Sequence, residues 1–154
     1  MDPLPYNITI PSQAGSILYA PTRDGNIEDG WNVTYTGGIT NEVLLGGRQG
    51  VGTDNHQTTL DGATIQLSWI GTAIYLYGQA GNASFSIDVD VNVTIASTMV
   101  TIPPGGLLGK HIDLPYGNHT ATLTTIGSGF VAFQYAELTV GVGYPGYVIF
   151  NAVS

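Results

Sequence analysis

The side chains of this chain that are best suited to binding a ligand are aromatic. Trp31, Tyr35, Tyr75 and Tyr77 offer large rigid surfaces, three of them with a hydroxyl tip, which suits stacking on sugar rings or anchoring a protein interface. Tyr75 and Tyr77 alternate with aliphatic residues, so an extended strand there carries apolar side chains on both faces. Such a strand is either central in a sheet or contributes an aromatic surface, and both alternatives stay open. The four residues are our candidate ligand-binding residues.

Ionisable groups form no catalytic pattern. His56, His111 and His119 are far apart and fit no metal-binding or hydrolase motif. Asp88 and Asp90 fall on one face of a predicted strand, roughly 7 Å apart, a spacing that glycoside hydrolysis can use. Alternating aspartates on a strand are more typical of a solvated face. We therefore expect no catalytic residues and no enzymatic activity.

Metal and cofactor sites are not expected either. Asp24–Gly30 carries oxygen ligands at alternate positions, as a calcium loop requires, but its glycine comes one place late. Tyr35 stands where the closing bidentate glutamate belongs, so the segment is interpreted as an acidic turn. The chain has no cysteine, which excludes thiol chemistry and cysteine-based zinc sites.

The charge balance excludes two classes of partner. Only 9% of the 154 residues are charged, the net charge is −8, and the strong cations are Arg23, Arg48 and Lys110. Nucleic acid and anionic membranes require a dense basic surface, which three cations do not supply. No apolar run reaches the roughly 20 residues of a membrane span, and the N-terminus lacks the pattern of a signal peptide.

Glycosylation sequons point to the secretory pathway. Five Asn-x-Ser/Thr triplets occur, where roughly 1.5 would arise by chance from this composition; they begin at Asn7, Asn32, Asn82, Asn92 and Asn118. Strict alternation over Ser84–Ile95 predicts one strand with Asn92 on its solvent face. We expect a glycoprotein that is secreted or lies at the cell surface.

The elements that must position these residues are short strands. Alternating segments are separated by glycine-rich turns, and no stretch has a helical apolar stripe, so the sequence predicts one all-β domain over 1–154, an antiparallel β-sandwich or jelly roll. Leu60–Ala63 is expected to close a hairpin between strands 57–60 and 64–69. The strand-like ends, 6–10 and 147–153, could pair between molecules.

A family resemblance follows from several blocks of sequence. Asn7–Ile10, Ser16–Pro21, Asp61–Gly78, Gly81–Asp88 and Leu114–Thr124 resemble the surface ectodomains of fungi, especially of mushroom type. The resemblance spans most of the chain and rests on turn glycines and alternating apolar residues. It implies a galactose-binding-like β-sandwich, secreted or membrane-anchored, in a family largely without assigned function.

Two functional hypotheses remain. The first is a non-catalytic structural or adhesive module of the cell surface or matrix, which self-assembles into filaments through its terminal strands. The alternative is a lectin-like, carbohydrate-binding module with an aromatic platform. The expected partners are accordingly copies of the same chain or extracellular glycans.

Overall fold

Strands make up every regular element of the part of the chain that the structure describes. The computed structural model describes residues 2–42, 46–90, 92–95 and 99–143. Eleven strands lie in these ranges: β1 (Leu4–Pro11), β2 (Leu18–Ala20), β3 (Asn32–Tyr35), β4 (Ile39–Glu42), β5 (Gly47–Gly50), β6 (Asp54–Thr58), β7 (Thr64–Val89), β8 (Asn92–Ile95), β9 (Val100–His111), β10 (Gly117–Ile126) and β11 (Phe130–Val142). The prediction of an antiparallel β-sandwich is confirmed.

One long strand, β7, pairs with five of the other strands of the sandwich. Its first part pairs with β10 from Gly117↔Gly71 to Thr124↔Thr64, and its last part pairs with the same strand from Ala121↔Val89 to Ile126↔Ser84. In both pairings the residue number on β7 falls as the residue number on β10 rises, so both pairings are antiparallel. The middle of β7 pairs with β11 and β9. The strand therefore curls around the core and contributes to both of its sides.

Two glycines of β7 lie where its backbone comes very close to that of β11. A Cβ on Gly71 would lie 1.8 Å from the carbonyl oxygen of Thr139, and a Cβ on Gly78 would lie 1.9 Å from that of Ala132. Neither distance is compatible with a side chain, so the backbones of β7 and β11 approach closely only because these positions lack one. The sequence predicted separate strands at 64–69 and 73–77, and the structure joins them into one.

The N-terminal strand pairs antiparallel with β11 of its own chain. β1 pairs with β11 from Leu4↔Val142 to Pro11↔Tyr135. The predicted strand 6–10 therefore has an intramolecular partner on one side. The predicted strand 147–153 lies outside the described residues.

Two local predictions are wrong. The chain turns at Asp90, whose φ is 55°, and β8 folds back on β7 with Val89 opposite Asn92, so 84–95 is a hairpin rather than one strand. Asp61 closes no hairpin: β6 pairs with β3 and β11, and the Asp61 carboxylate instead accepts the Gly127 N–H at 2.7 Å. Short polar residues favour both turns, but their long-range partners decide the pairing.

The core lies between the two sides of the curled sheet. Its largest fully buried side chains include Trp31, Phe85 and Phe133, and Trp69 is 6% exposed. Each large apolar side chain removed from water contributes about 1.5–3 kcal/mol to folding. None of the described segments forms a helix that is long and apolar enough to cross a membrane.

Candidate functional site

Three tyrosines form a row on the solvent face of the two central strands. On β7 the even residues from Ile74 to Ala80 are buried while Tyr75 and Tyr77 are half-exposed, and on β11 Tyr135 lies directly opposite Tyr77. The alternation of buried and exposed side chains along β7 is interrupted at Ala73 and Ile74, which are both buried. After this interruption the even-numbered residues are buried, and Tyr75 and Tyr77 therefore point outward. We call Tyr75, Tyr77 and Tyr135 the tyrosine row.

The rings of the tyrosine row are nearly parallel. The centroids of Tyr77 and Tyr135 lie 4.7 Å apart with an angle of 16° between the planes, which is face-to-face stacking across neighbouring strands. Tyr75 and Tyr77 lie 6.5 Å apart at 14°, so their contact is much more offset. Tyr75 therefore makes the looser of the two ring contacts in the row.

Polar side chains flank the row at the same level of the sheet. Glu137 of β11 lies beside Tyr75 on one side, and Lys110 of β9 lies beside it on the other. Partial burial, followed by the nearby Glu137 carboxylate, raises the pKa of the Tyr77 hydroxyl. That hydroxyl is therefore neutral at ordinary pH and can both donate and accept a hydrogen bond.

A depression of about 600 Å³ continues the row beyond Tyr75. Its walls combine the Tyr75 ring and proline side chains with hydroxyl and carboxylate groups. Among its lining residues are Asp2, Pro5, Thr72, Tyr75, Asp113 and Thr139. We call it the Tyr75 depression. An aromatic wall with a few convergent polar groups is the usual composition of a small-molecule site.

The other two predicted ligand-binding residues lie elsewhere. Trp31 is 0% exposed and its indole N–H donates to the Ala20 carbonyl at 3.2 Å, so its ring is not available to a ligand. Tyr35 is half-buried at the end of β3, where its ring lies under Gly50 and its hydroxyl accepts a hydrogen bond from Gln13. The structure brings Tyr75 and Tyr77 together and leaves Trp31 and Tyr35 apart from them.

The sequon asparagines are distributed over several strands. Asn7, Asn82 and Asn118 are exposed, and Asn32 is half-buried on β3. Asn92 belongs to β8, and its side chain lies outside the described part of the structure. Asn7 lies close to the tyrosine row, because its carboxamide oxygen accepts the Thr139 hydroxyl at 2.8 Å on the same face of the sheet. Glycosylation of all five stays a prediction.

A buried polar cluster was missed by the sequence reasoning. Ser12 and His56 are both 0% exposed. The Ser12 hydroxyl donates a hydrogen bond to the Asp54 carboxylate, and His56 Nδ1 lies 3.0 Å from Ser12 Oγ. Tyr19 stacks on the His56 ring with centroids 4.3 Å apart. His56 Nε2 lies 3.6 Å from the Asp24 carboxylate and has no hydrogen-bond partner. We call these five residues the histidine cluster.

The histidine cluster contains serine, histidine and aspartate, but it does not present a nucleophile. Because the Ser12 proton goes to Asp54, Nδ1 of His56 must donate to Ser12, which leaves Nε2 as a lone pair. Burial, reinforced by the Arg23 charge, lowers the pKa of His56, in agreement with a neutral ring. No motif spacing in the sequence links residues 12, 24, 54 and 56, since two loops bring them together.

A second histidine has a hydrogen-bond acceptor at each ring nitrogen. His119 Nδ1 lies 2.7 Å from the Asp90 carboxylate, and Nε2 lies 2.6 Å from the Pro115 carbonyl oxygen. Both nitrogens face acceptors, so both need a proton. Burial lowers the pKa of His119, but the Asp90 and Pro115 hydrogen bonds outweigh it and the pKa is raised. Asp90 thus lies in the turn after β7, where its carboxylate contacts His119 and does not pair with Asp88 as a catalytic carboxylate.

Comparison with known proteins identifies a structural likeness. No protein-family model and no curated protein sequence matches the chain. A family two carbohydrate esterase from Cellvibrio japonicus matches over 92% of this chain with a TM-score of 0.52 and 12% sequence identity. The match covers 36% of the esterase, so the chain spans about a third of its length. At this identity the likeness shows a shared β-sandwich fold.

One expectation is corrected by this likeness. The prediction that the chain is not an enzyme is contradicted, because an enzyme named for its action on carbohydrate has the same fold over nearly all of this chain. The β-sandwich part of the predicted family resemblance is confirmed. Fungal origin and a cell-surface location stay predictions.

Proposed function

We propose that this protein binds carbohydrate at the surface formed by the tyrosine row and the Tyr75 depression. The observation that carries the proposal is the alignment of three tyrosine rings on solvent-facing central strands, ending at a depression with polar walls. Sugar rings have apolar C–H faces and polar rims, so they fit an aromatic ring bordered by hydroxyls and carboxylates. The likeness to a carbohydrate esterase supports the same class of ligand.

The geometry suggests how such a ligand would lie. Tyr75 is the residue of the row that lines the depression, so its ring is the stacking surface, while Tyr77 and Tyr135 extend the surface along the sheet. Thr72 and Thr139 supply hydroxyls at the depression, and Asp2 and Asp113 supply acceptors for sugar hydroxyls. Each of these groups sits on a strand or directly beside one, which limits the entropy lost on binding.

The charge of the surface narrows the ligand class. Glu137, Asp2 and Asp113 outnumber Lys110 there, and the net charge of the protein is −8. Uronate-containing or sulfated glycans would be repelled by this field, whereas neutral glycans would not. We therefore infer that the ligand is an uncharged glycan.

Binding measurements on single variants test the proposal. After a neutral glycan has been selected on a glycan array, Tyr75→Ala is expected to weaken its binding by at least about tenfold, which corresponds to about 1.4 kcal/mol. Tyr6→Ala is the matched control, because Tyr6 is 58% exposed on β1 but points to the opposite face of the sheet. Equal binding by the wild type, Tyr75→Ala and Tyr6→Ala, or no binding to any array glycan, would refute the proposal.

The self-assembling structural role has no comparable support. β1 pairs with β11 of its own chain, and the comparisons point to carbohydrate rather than to filaments. We further propose that the protein is extracellular, on the strength of its five sequons. Glycopeptide mapping of protein from its native source tests the location, and five unmodified asparagines would contradict it.

A further inference from the structure

A second depression lies farther along β7, at Gly81–Ser84, and shares no lining residue with the Tyr75 depression. It has a volume of about 650 Å³, and its lining includes Asn82, Ser84, Met99, Ile126, Ser128 and Phe130. Met99 is 67% exposed and Ile126 is 47% exposed, so two large apolar side chains meet water in one place. Covering both side chains would remove apolar surface from water, which is favourable. We call it the Asn82 depression.

The same depression contains the acceptor of a glycosylation sequon. Asn82 begins the triplet Asn82-Ala83-Ser84, is exposed, and has a φ of 44°, a left-handed conformation that asparagine tolerates better than most residues. The conformation lies at a register shift in the pairing of β7 with β9, and Asn82 itself lines the depression. An attached sugar would therefore start inside the depression.

Hydrogen bonds orient the Asn82 carboxamide. The Thr101 hydroxyl oxygen accepts the Asn82 backbone N–H at 3.3 Å, and its own proton is directed to Asn82 Oδ1 at 3.4 Å. Thr101 belongs to β9, on one side of β7, whereas Phe130 pairs with Gly81 from β11 on the other side. Oδ1 is therefore held toward β9, while Asn82 and Phe130 line the same depression.

We propose that Asn82 carries an N-linked glycan whose first sugar lies in the Asn82 depression and covers Met99 and Ile126. In the attachment, Nδ2 forms a bond to the anomeric carbon of a glycosyl diphosphate donor. The bond between that carbon and the diphosphate oxygen breaks, the diphosphate leaves, and Nδ2 loses one proton. The reaction modifies the unfolded chain, so Ser84 is free to take its later hydrogen bond from the Met99 N–H at 3.0 Å.

The depression suits an N-acetylated hexosamine, the sugar that begins such glycans. Its methyl group and C–H face match Met99, Ile126 and Phe130, while its hydroxyls can reach Ser128. A Cβ on Gly127 would meet nothing within 4 Å, so the loop leaves open space at this position. Covalent attachment makes the contact intramolecular, so even a weak fit is populated.

Oxidation of Met99 by dilute peroxide measures whether the sugar covers it. In protein secreted from a eukaryotic host, we expect Met99 to oxidise at least about fivefold more slowly than in Asn82→Asp, because oxidation follows exposure of the sulfur. Enzymatic removal of the glycan from the folded protein also leaves aspartate at this position, so it gives the same comparison without a refolding step. Asn118→Asp is the matched control, because it removes a different sequon and is expected to leave the Met99 rate unchanged.

Each outcome decides the matter. Glycopeptides that show Asn82 unmodified overturn the proposal. An occupied Asn82 with the same Met99 oxidation rate before and after glycan removal also overturns it, since the sugar then points into solvent. Faster oxidation in both the Asn82→Asp and the deglycosylated protein, together with a nuclear Overhauser effect between the N-acetyl methyl group and the Phe130 ring, supports it.

Discussion

The tyrosine row and the histidine cluster use similar side chains in opposite environments. In the tyrosine row, parallel rings stand on the solvent face of β7 and β11 beside an open depression. In the histidine cluster, Tyr19 covers His56 and Ser12, which are 0% exposed and already bonded to each other. The comparison teaches that residue type alone does not mark a site. Solvent-facing rings beside an open depression do, and of these two groups the row alone has them.

The largest test of this contrast compares two aromatic truncations. Trp31→Ala empties a fully buried position beside Tyr19, so it is expected to lower the free energy of unfolding by about 3–5 kcal/mol. Tyr75→Ala removes a half-exposed ring and should cost about 1 kcal/mol or less. Urea denaturation measures both. Equal losses would mean that the tyrosine row is part of the core.

A second test disturbs the strand beneath the row. Gly78→Ala places a Cβ 1.9 Å from the Ala132 carbonyl oxygen, so β7 and β11 must separate, at an expected cost of about 1–3 kcal/mol. Tyr77 and Tyr135 belong to these strands and should lose their stacking. Gly117→Ala is the control, because its Cβ would meet nothing within 4 Å. A stable Gly78→Ala protein with unchanged thermal unfolding would contradict the close approach.

The two histidines are expected to affect the pH dependence of folding stability in opposite directions. His56 has a lowered pKa in the folded protein, so below the unfolded value of about 6.5 the unfolded chain binds more protons and the His56 contribution to stability is lost as pH falls. His119 has a raised pKa, so its contribution is complete below about 6.5 and is lost as pH rises through the folded value.

Denaturation from pH 5 to 8 checks both signs. The stability difference between wild type and His56→Gln is expected to grow with pH, and that between wild type and His119→Gln is expected to shrink. Asp90→Asn, which keeps the shape of the His119 partner without its charge, should remove most of the His119 dependence. Parallel curves for the two histidine variants would contradict the assignment.

The smallest effect concerns one hydroxyl of the row. Tyr77→Phe keeps the stacked ring and removes its polar tip, so the free energy of unfolding should change by no more than about 0.5 kcal/mol. Binding of a neutral glycan should weaken by a few fold, because one hydrogen bond of about 1 kcal/mol is lost. Isothermal titration calorimetry measures the change. A binding loss as large as that of Tyr75→Ala would move the stacking ring from Tyr75 to Tyr77.

Local patterns predicted part of the tyrosine row and none of the histidine cluster. The alternation around Tyr75 and Tyr77 is a property of neighbouring residues, so it was readable before the structure. Tyr135 joins the row only through strand pairing, and the histidine cluster joins residues up to 44 positions apart. The hairpin at Asp61 failed for the same reason, since the turn was recognised but the partner of β6 was a distant strand.

The sequence by itself determined an all-β chain, because period-two alternation and turn residues are local features that each segment carries alone. It also placed Tyr75 and Tyr77 on one face of a strand, but left open whether that strand is central in the sheet or contributes an aromatic surface. Only the tertiary structure decided that Trp31 is buried and that the tyrosine row meets a depression. Those outcomes depend on pairings between strands distant in sequence, such as β7 with β11, whose close backbone approach at Gly71 and Gly78 no local pattern encodes.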